Sequence, residues 1–245
     1  MLGLTSAVKK IQVEGVPREI TQSDRRVQIE QWLGATLTKN NYETAKSVRQ
    51  EGTCNWILDR KQFRNWIAPY SDSDQKARVL WLHGGPGFGK TILAGRLTEY
   101  LHSSQESSVA YFFCTSEDEV KRDPYSILKA WMSQLISNDS GALEVAFRFY
   151  QDNKRALPGN SDLWDLFAEL LKKAQYILIV DGFDECSTIN KTSKFHTDDG
   201  RSKWLSALLI ALQWHTVSCL DGKQRQRRHQ DTVQRFQKRF INRCG

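Results

Sequence analysis

The stretch Gly84-Gly85-Pro86-Gly87-Phe88-Gly89-Lys90-Thr91 combines glycines, a lysine and a hydroxyl residue at the spacing a polyphosphate requires. Glycines at 84, 87 and 89 let the backbone curl with its N–H groups inward, where a side chain would block the anion or force a disfavoured φ. Lys90 supplies a mobile ammonium for the β- and γ-phosphates, and the Thr91 hydroxyl is suited to ligating Mg2+. Pro86 stiffens the loop, and Phe88 reads as a hydrophobic plug beneath it. A second set of groups follows in Asp181-Gly182-Phe183-Asp184-Glu185. Asp181 is expected to hold Mg2+ directly or through a water, while Asp184 and Glu185 are candidates for polarising the water that attacks the γ-phosphate, Glu185 being the expected base.

Each set needs a rigid element behind it. Val79-Leu80-Trp81-Leu82-His83 has the length and composition of a buried strand leading into the loop, and Ile92 to Leu101 has helical spacing after it. The positive end of that helix adds to the field on a bound anion. Tyr176-Ile177-Leu178-Ile179-Val180 predicts a buried parallel strand whose C-terminal edge releases the acids where α/β sheets bind ligands. Val109 to Cys114 predicts a further strand, Pro124 opens a helix, and helices are expected over about 141–154 and 161–174. Upstream, Thr21 or Ser23 can cap a helix carrying Val27, Ile29, Trp32 and Leu33, which the polar run Thr38 to Asn41 should break. Two short helices around Trp56-Ile57-Leu58 and Phe63, Trp66 and Ile67 should follow, then a linker from Pro69 to Asp74. Trp56, Trp66, Trp131, Trp164 and Trp204 all read as packing residues. Alternating strands and helices predict an α/β fold with a doubly wound, mainly parallel P-loop NTPase sheet and a helical leader, divided into residues 1–76, 77–220 and 221–245.

A strand ending in D-G-x-D-E, with a G-G-x-G-x-G-K-T loop about ninety residues before it, resembles the NACHT family of STAND-class signal-transduction NTPases, most of all the fungal-type proteins. Gly52-Thr53-Cys54-Asn55-Trp56-Ile57-Leu58 with Phe63 to Ile67 resembles the leader of that family, and Asp123 to Leu128 with Gln134-Leu135 resembles its helix after the second strand. The likeness covers about residues 25–190. It implies ATP or ADP with Mg2+, and it implies that backbone groups of Gly52 and Thr53 lie over the adenine. GTP remains an alternative, although Asn153-Lys154-Arg155-Ala156 and Asn190-Lys191-Thr192-Ser193 both lack the aspartate of a guanine-reading N-K-x-D motif. An AAA-type turnover ATPase also suits the loop, but the Gly182-Phe183 spacer before Asp184-Glu185 fits NACHT better. The resemblance further implies a helix and then a strand between the two motif strands, ending near residue 215 in an arginine that senses the γ-phosphate. Trp204 to Leu212 reads as the helix, but Thr216 to Leu220 is a poor strand, so the core reads as truncated and incomplete at its C-terminus. Binding with weak or absent hydrolysis is therefore expected, in a switch or oligomerisation module whose partners are nucleotide, other signalling proteins or further copies of itself. No repeat of 20–50 residues marks an ankyrin or propeller array.

Composition agrees with a cytoplasmic setting: no apolar run is long enough to span a bilayer, and the first twenty residues lack the apolar core of a signal peptide. Cys54, Cys114, Cys186, Cys219 and Cys244 are odd in number and scattered without zinc spacing, so reduced, packed thiols are expected. Nearly all of the +7 net charge belongs to Asp221–Gly245, which has eight Lys or Arg against two Asp. With Val233, Phe236, Phe240 and Ile241 on one helical face, that tail reads as a solvated amphipathic end rather than a nucleic-acid reader.

Overall fold

In the computed structural model, residues 20–35, 39–68, 78–85, 87–103, 108–115, 117–118, 120, 123–153, 157–174, 176–185 and 208–214 are described. Strands β1 (Arg78–His83), β2 (Ser108–Phe113), β3 (Tyr176–Asp181) and β4 (Leu208–Trp214) form one sheet in the order β1-β4-β3-β2. β2 and β3 are parallel, with Ser108 opposite Tyr176 and Phe113 opposite Asp181. β4 is antiparallel to both β1 and β3, so β1, β2 and β3 point one way and β4 alone is reversed.

This α/β arrangement corrects two expectations. The sheet is mixed, and Leu208–Trp214, the second half of the stretch expected as a helix, is a strand. A short apolar run such as Leu208-Leu209-Ile210-Ala211-Leu212 carries no periodicity that distinguishes a buried helix from a buried strand. The gap between β1 and β3 offers backbone partners on both sides, and those hydrogen bonds decide the outcome. The strand lies between the two motif strands, as the resemblance implies, but it begins beside His83 and ends beyond Arg78. Thr216 to Leu220, Trp204, Cys186, Cys219, Cys244, the Pro69–Asp74 linker and the 221–245 tail lie outside the described residues.

Side chains alternate across the sheet and bind a helical layer to each face. Ala110, Phe112, Tyr176, Leu178 and Val180 join one core with α1 (Gln22–Leu33), α5 (Pro124–Asn138), α6 (Ser140–Asn153) and α7 (Asn160–Leu171). Val109, Tyr111, Phe113, Ile177 and Ile179 join the other with Leu80, α3 (Lys61–Ile67) and α4 (Lys90–Ser103), with Ala45 of α2 (Lys39–Val48) against Gly95. The leader is thus distributed over both layers, α1 on α5 and α6, α2 on α4 and α3 on β1.

Local chemistry starts and stops these helices where the residue types require. Thr21 forms a capping box with Asp24, each side chain bonding the other's backbone N–H, and Gly34 ends α1 in the left-handed conformation. The polar run after it does not remain a break, because Lys39 to Asn41 open α2, whose Tyr42 and Ala45 pack inward. Asp123 caps α5 ahead of Pro124, whose missing N–H costs nothing in a first turn. Trp66, Trp131 and Trp164 are buried as expected, and Trp131 Nε1 donates to Ile179 O at 3.0 Å. Trp56 is the correction, 53% exposed beneath the Arg60 guanidinium, because Ile57 takes the inward position of that 3₁₀ turn. Cys54 and Cys114 form no disulfide, and the latter is buried.

On the outer side of β2, Gln134 reaches from α5 to the strand's free backbone. Its amide accepts from Tyr111 N–H at 3.1 Å and donates to Tyr111 O at 2.7 Å, taking the place of one residue of a neighbouring strand.

Candidate functional site

β1 delivers the chain to Gly84 at the sheet edge, and α4 begins six residues later at Lys90. The glycines do what their type permits. Gly87 and Gly89 have φ of +78° and +72°, a region that glycine adopts without strain, and a Cβ at either would meet nothing within 4 Å. Lys90 turns back across this loop, its Nζ donating to Gly84 O at 2.9 Å and Gly85 O at 2.6 Å. Gly89 O accepts from Leu93 N–H at 2.9 Å, tying the loop to the first turn of α4. Thr91 is exposed at the second position of that helix, while Pro86 lies outside the described residues. Phe88 is not a plug: it is 80% exposed, and its ring rests on Gly85, where a Cβ would come within 3.0 Å of Cε2. A ring flanked by glycines in a loop at the sheet edge has no core within reach.

The acidic cluster emerges from the same edge. Asp181 ends β3 and is 3% exposed, its carbonyl accepting from Cys114 N–H at 2.9 Å. Gly182 follows with φ +67°, and a Cβ there would lie 3.0 Å from Cys114 O, so this turn admits only glycine without a shift. Phe183 is buried beneath the 3₁₀ turn Phe183–Glu185, anchoring it. Glu185 is half-buried and donates its N–H to Gly182 O at 2.8 Å. Asp184 lies in the same turn, its side chain outside the described part.

Through β4, Trp81 is level with Ile210 and Ile210 with Val180, so Asp181 is level with Leu82 and β1 runs two residues further to Gly84 at the same end of the sheet. One strand separates them, which sets β1 and β3 about 10 Å apart. Left-handed glycines, the Lys90 ammonium across them and the buried Asp181 carboxylate at the same end of the sheet are groups whose chemistry fits Mg2+ and a polyphosphate. Among the described residues, no cluster of three or more His, Cys, Asp or Glu is arranged to hold a metal by protein groups alone.

The leader turn meets α4 away from the loop. Gly52 has φ +78°, Thr53 donates from Oγ1 to Gln50 O at 2.6 Å, and Arg49 reaches Thr53 O at 3.4 Å. Arg49 also pairs with Glu99 at 2.9 Å, Glu99 with Arg96 at 3.3 Å, and Arg96 with Asn55 Oδ1 at 2.8 Å. The anchor residues therefore sit in the second and third turns of α4, about 9 Å or more along the axis from Lys90. This network was missed in the sequence, where only the Arg96–Glu99 spacing of three was legible. Arg49 and Asn55 join it through the docking of the leader on α4, for which no local pattern exists.

No helix among the described residues is long and apolar enough to cross a membrane. Residues 52–213 match the family described as Nephrocystin 3, N-terminal. The chain is also 27% identical over 158 residues to the vegetative incompatibility protein HET-E-1 of Podospora anserina, a match covering 61% of this chain and 11% of that protein. No solved structure matches. The family match spans both the loop and the acidic edge, and the chain belongs to the nephrocystin 3 N-terminal family and is a NACHT-type protein.

Proposed function

We propose that this chain is a nucleotide-binding signalling module, taking ATP or ADP in preference to GTP together with Mg2+, and acting as a switch or oligomerisation element with little or no hydrolysis. The observation that carries the reading is Lys90, whose ammonium reaches into the glycine curve at the head of a fourteen-residue helix. Gly84, Gly85, Gly87, Gly89 and the N-terminus of α4 would cradle the phosphates, and Lys90 would neutralise the outer ones. Thr91 and Asp181 would hold Mg2+, which supplies charge neutralisation across the outer phosphates when bound. Glu185, with Asp184 beside it, would accept a proton from water. Gly52 and Thr53 remain proposed base contacts only as far as the leader turn can extend along α4.

Weak turnover is supported by the direction of β4. The strand has the expected location between the motif strands, but because it is antiparallel its C-terminal end lies at Arg78, the edge opposite Gly84. An arginine carried at that end would face away from the phosphate loop. Catalysis by positioning loses its power when one charged group is absent from the γ-phosphate.

Equilibrium binding of a fluorescent ATP analogue tests the reading, in Mg2+ and in EDTA, with wild-type protein and Lys90→Ala. Binding that requires Mg2+ and disappears in the variant is the expected result, and size-exclusion chromatography with ATP, ADP and no nucleotide then asks whether assembly follows the ligand. Steady ATP turnover abolished by Glu185→Gln would overturn the weak-hydrolysis half and favour a turnover ATPase.

A further inference from the structure

We propose that Arg49, Glu99, Arg96 and Asn55 are positioning residues, which together pin the Gly52–Asn55 turn across α4 and thereby set how much a nucleoside adds to the affinity of its phosphates. The inference rests on the nucleotide-site reading above and concerns what holds the base side of that site.

The leader crosses α4. Tyr42 of α2 lies against Tyr111 of β2, with ring centroids 4.9 Å apart, whereas α3 packs on β1 at the other end of the sheet. Between them α4 packs on β2, β3 and β4, with Leu93, Ala94, Leu97 and Leu101 turned inward. The chain joining α2 to α3 therefore runs over the outer face of α4, where Arg96, Glu99 and Tyr100 are only partly buried. A nucleotide whose outer phosphate meets Asp181 and Glu185 at the sheet edge directs its nucleoside away from the sheet, toward this crossing segment.

One chain of bonds fastens the crossing. Arg49 donates from Nη1 to Thr53 O at 3.4 Å and from Nη2 to Glu99 Oε2 at 2.9 Å. The same Glu99 oxygen accepts from Arg96 Nη1 at 3.3 Å, and Arg96 Nε donates to Asn55 Oδ1 at 2.8 Å. The two ends, Thr53 O and Asn55 Oδ1, bracket Cys54, which at φ +65° is the one non-glycine residue with positive φ among the described residues. A residue with a Cβ keeps that conformation only where its surroundings impose it. The side chains of Arg49, Arg96 and Glu99 are 15%, 19% and 30% exposed, so water screens them less than a surface pair. Without the Glu99 carboxylate, the two guanidinium groups that anchor the turn lose their shared acceptor and repel each other. Because α4 also carries Lys90 at its start, this anchorage fixes the turn relative to the phosphates.

Isothermal titration of the full chain with ATP and with inorganic tripolyphosphate, both in Mg2+, separates the nucleoside's share of the affinity from that of the phosphates. Wild type, Glu99→Ala and Arg49→Lys are compared, with thermal melts to establish that each is folded. Lysine keeps the charge but has one nitrogen where arginine uses two, so it cannot bridge Thr53 O and Glu99 together. Arg49→Lys decides the matter alone should Glu99→Ala melt below the working temperature. Both variants should bind ATP about three- to tenfold more weakly and tripolyphosphate as wild type does. The double variant should lose no more than Glu99→Ala, since both changes break the same chain of bonds. Equal weakening of ATP and tripolyphosphate, or unchanged ATP affinity in both variants, refutes the positioning role while leaving the nucleotide site standing. Wild-type protein that binds ATP no better than tripolyphosphate refutes it too, since the nucleoside then adds nothing. Binding of neither ligand by wild type removes the nucleotide reading, and the positioning role falls with it.

Discussion

Replacing Gly182 by alanine tests how the acidic edge is built. Gly182 has φ +67°, and a Cβ there would lie 3.0 Å from Cys114 O and 3.4 Å from Cys114 Cβ. The left-handed backbone costs an alanine about 1–2 kcal/mol. The carbonyl has limited room to move aside, because Cys114 N–H is donated to Asp181 O at 2.9 Å and ties the preceding peptide of the same residue to β3. Relief of the contact adds about 1 kcal/mol, the scale of modest angle or rotamer strain. Against this, alanine's reduced freedom in the unfolded chain offsets about 0.5–1 kcal/mol. The net loss is about 1–2.5 kcal/mol, or a melting temperature lower by about 2–10 °C for a domain of this size. Gly87→Ala is the internal control: φ is +78° there too, but its Cβ would meet nothing within 4 Å, so only the backbone cost applies. Thermal unfolding by circular dichroism should rank wild type above Gly87→Ala and Gly87→Ala above Gly182→Ala. Equal melting of Gly182→Ala and wild type, or of the two variants, would refute the argument that the Cys114 carbonyl makes this position a glycine.

Trp131→Phe removes the buried hydrogen bond to Ile179 O and part of the stack on Phe167, and should cost about 2–3 kcal/mol in urea denaturation, whereas exposed Trp56→Ala should stay within about 0.5 kcal/mol. Gln134→Ala leaves the Tyr111 N–H and C=O without their side-chain partner, for an expected loss of about 1–2 kcal/mol and greater self-association in sedimentation velocity, since the β2 edge is then open to pairing. Burial, followed by the neighbouring Tyr42 and Glu43, pushes the Tyr111 phenol from 10.0 up to about 12. Its folded-state value lies above the unfolded one, so this contribution is fully present below pH 10 and lost as pH rises through about 12. Tyr111→Phe should therefore lose less stability than wild type between about pH 9 and about pH 11, measured as urea midpoints, with a residual loss from Tyr42 and Tyr176, which burial also raises.

Much of this molecule is legible locally. Thr21 with Asp24, Asp123 with Pro124, and the apolar runs at 79–83, 109–113 and 176–180 declare their elements because caps and strand patterns act over a few residues. The phosphate-loop and acidic motifs are legible for the same reason, each being a contiguous run with a fixed chemical purpose. Misreadings gather where a distant element decides. The run to Asn41 was expected only to end the first helix; α1 does end, at Gly34, but Lys39 to Asn41 then open α2, whose Ala45 packs on Gly95 of α4. Trp56 looked like core, but Ile57 claims the interior.

The sequence alone determined that β1 runs into a glycine loop and a helix, and that β3 ends in Asp181 ahead of a turn, since composition and spacing within ten residues carry that information. Only the tertiary structure decided that Leu208–Trp214 extends between β1 and β3, that it runs against both, and that Lys90 folds back on Gly84 and Gly85. The physical reason is that a backbone amide is satisfied by whichever partner the assembled fold brings to it, and strand direction is set by hydrogen bonds to residues remote in the chain.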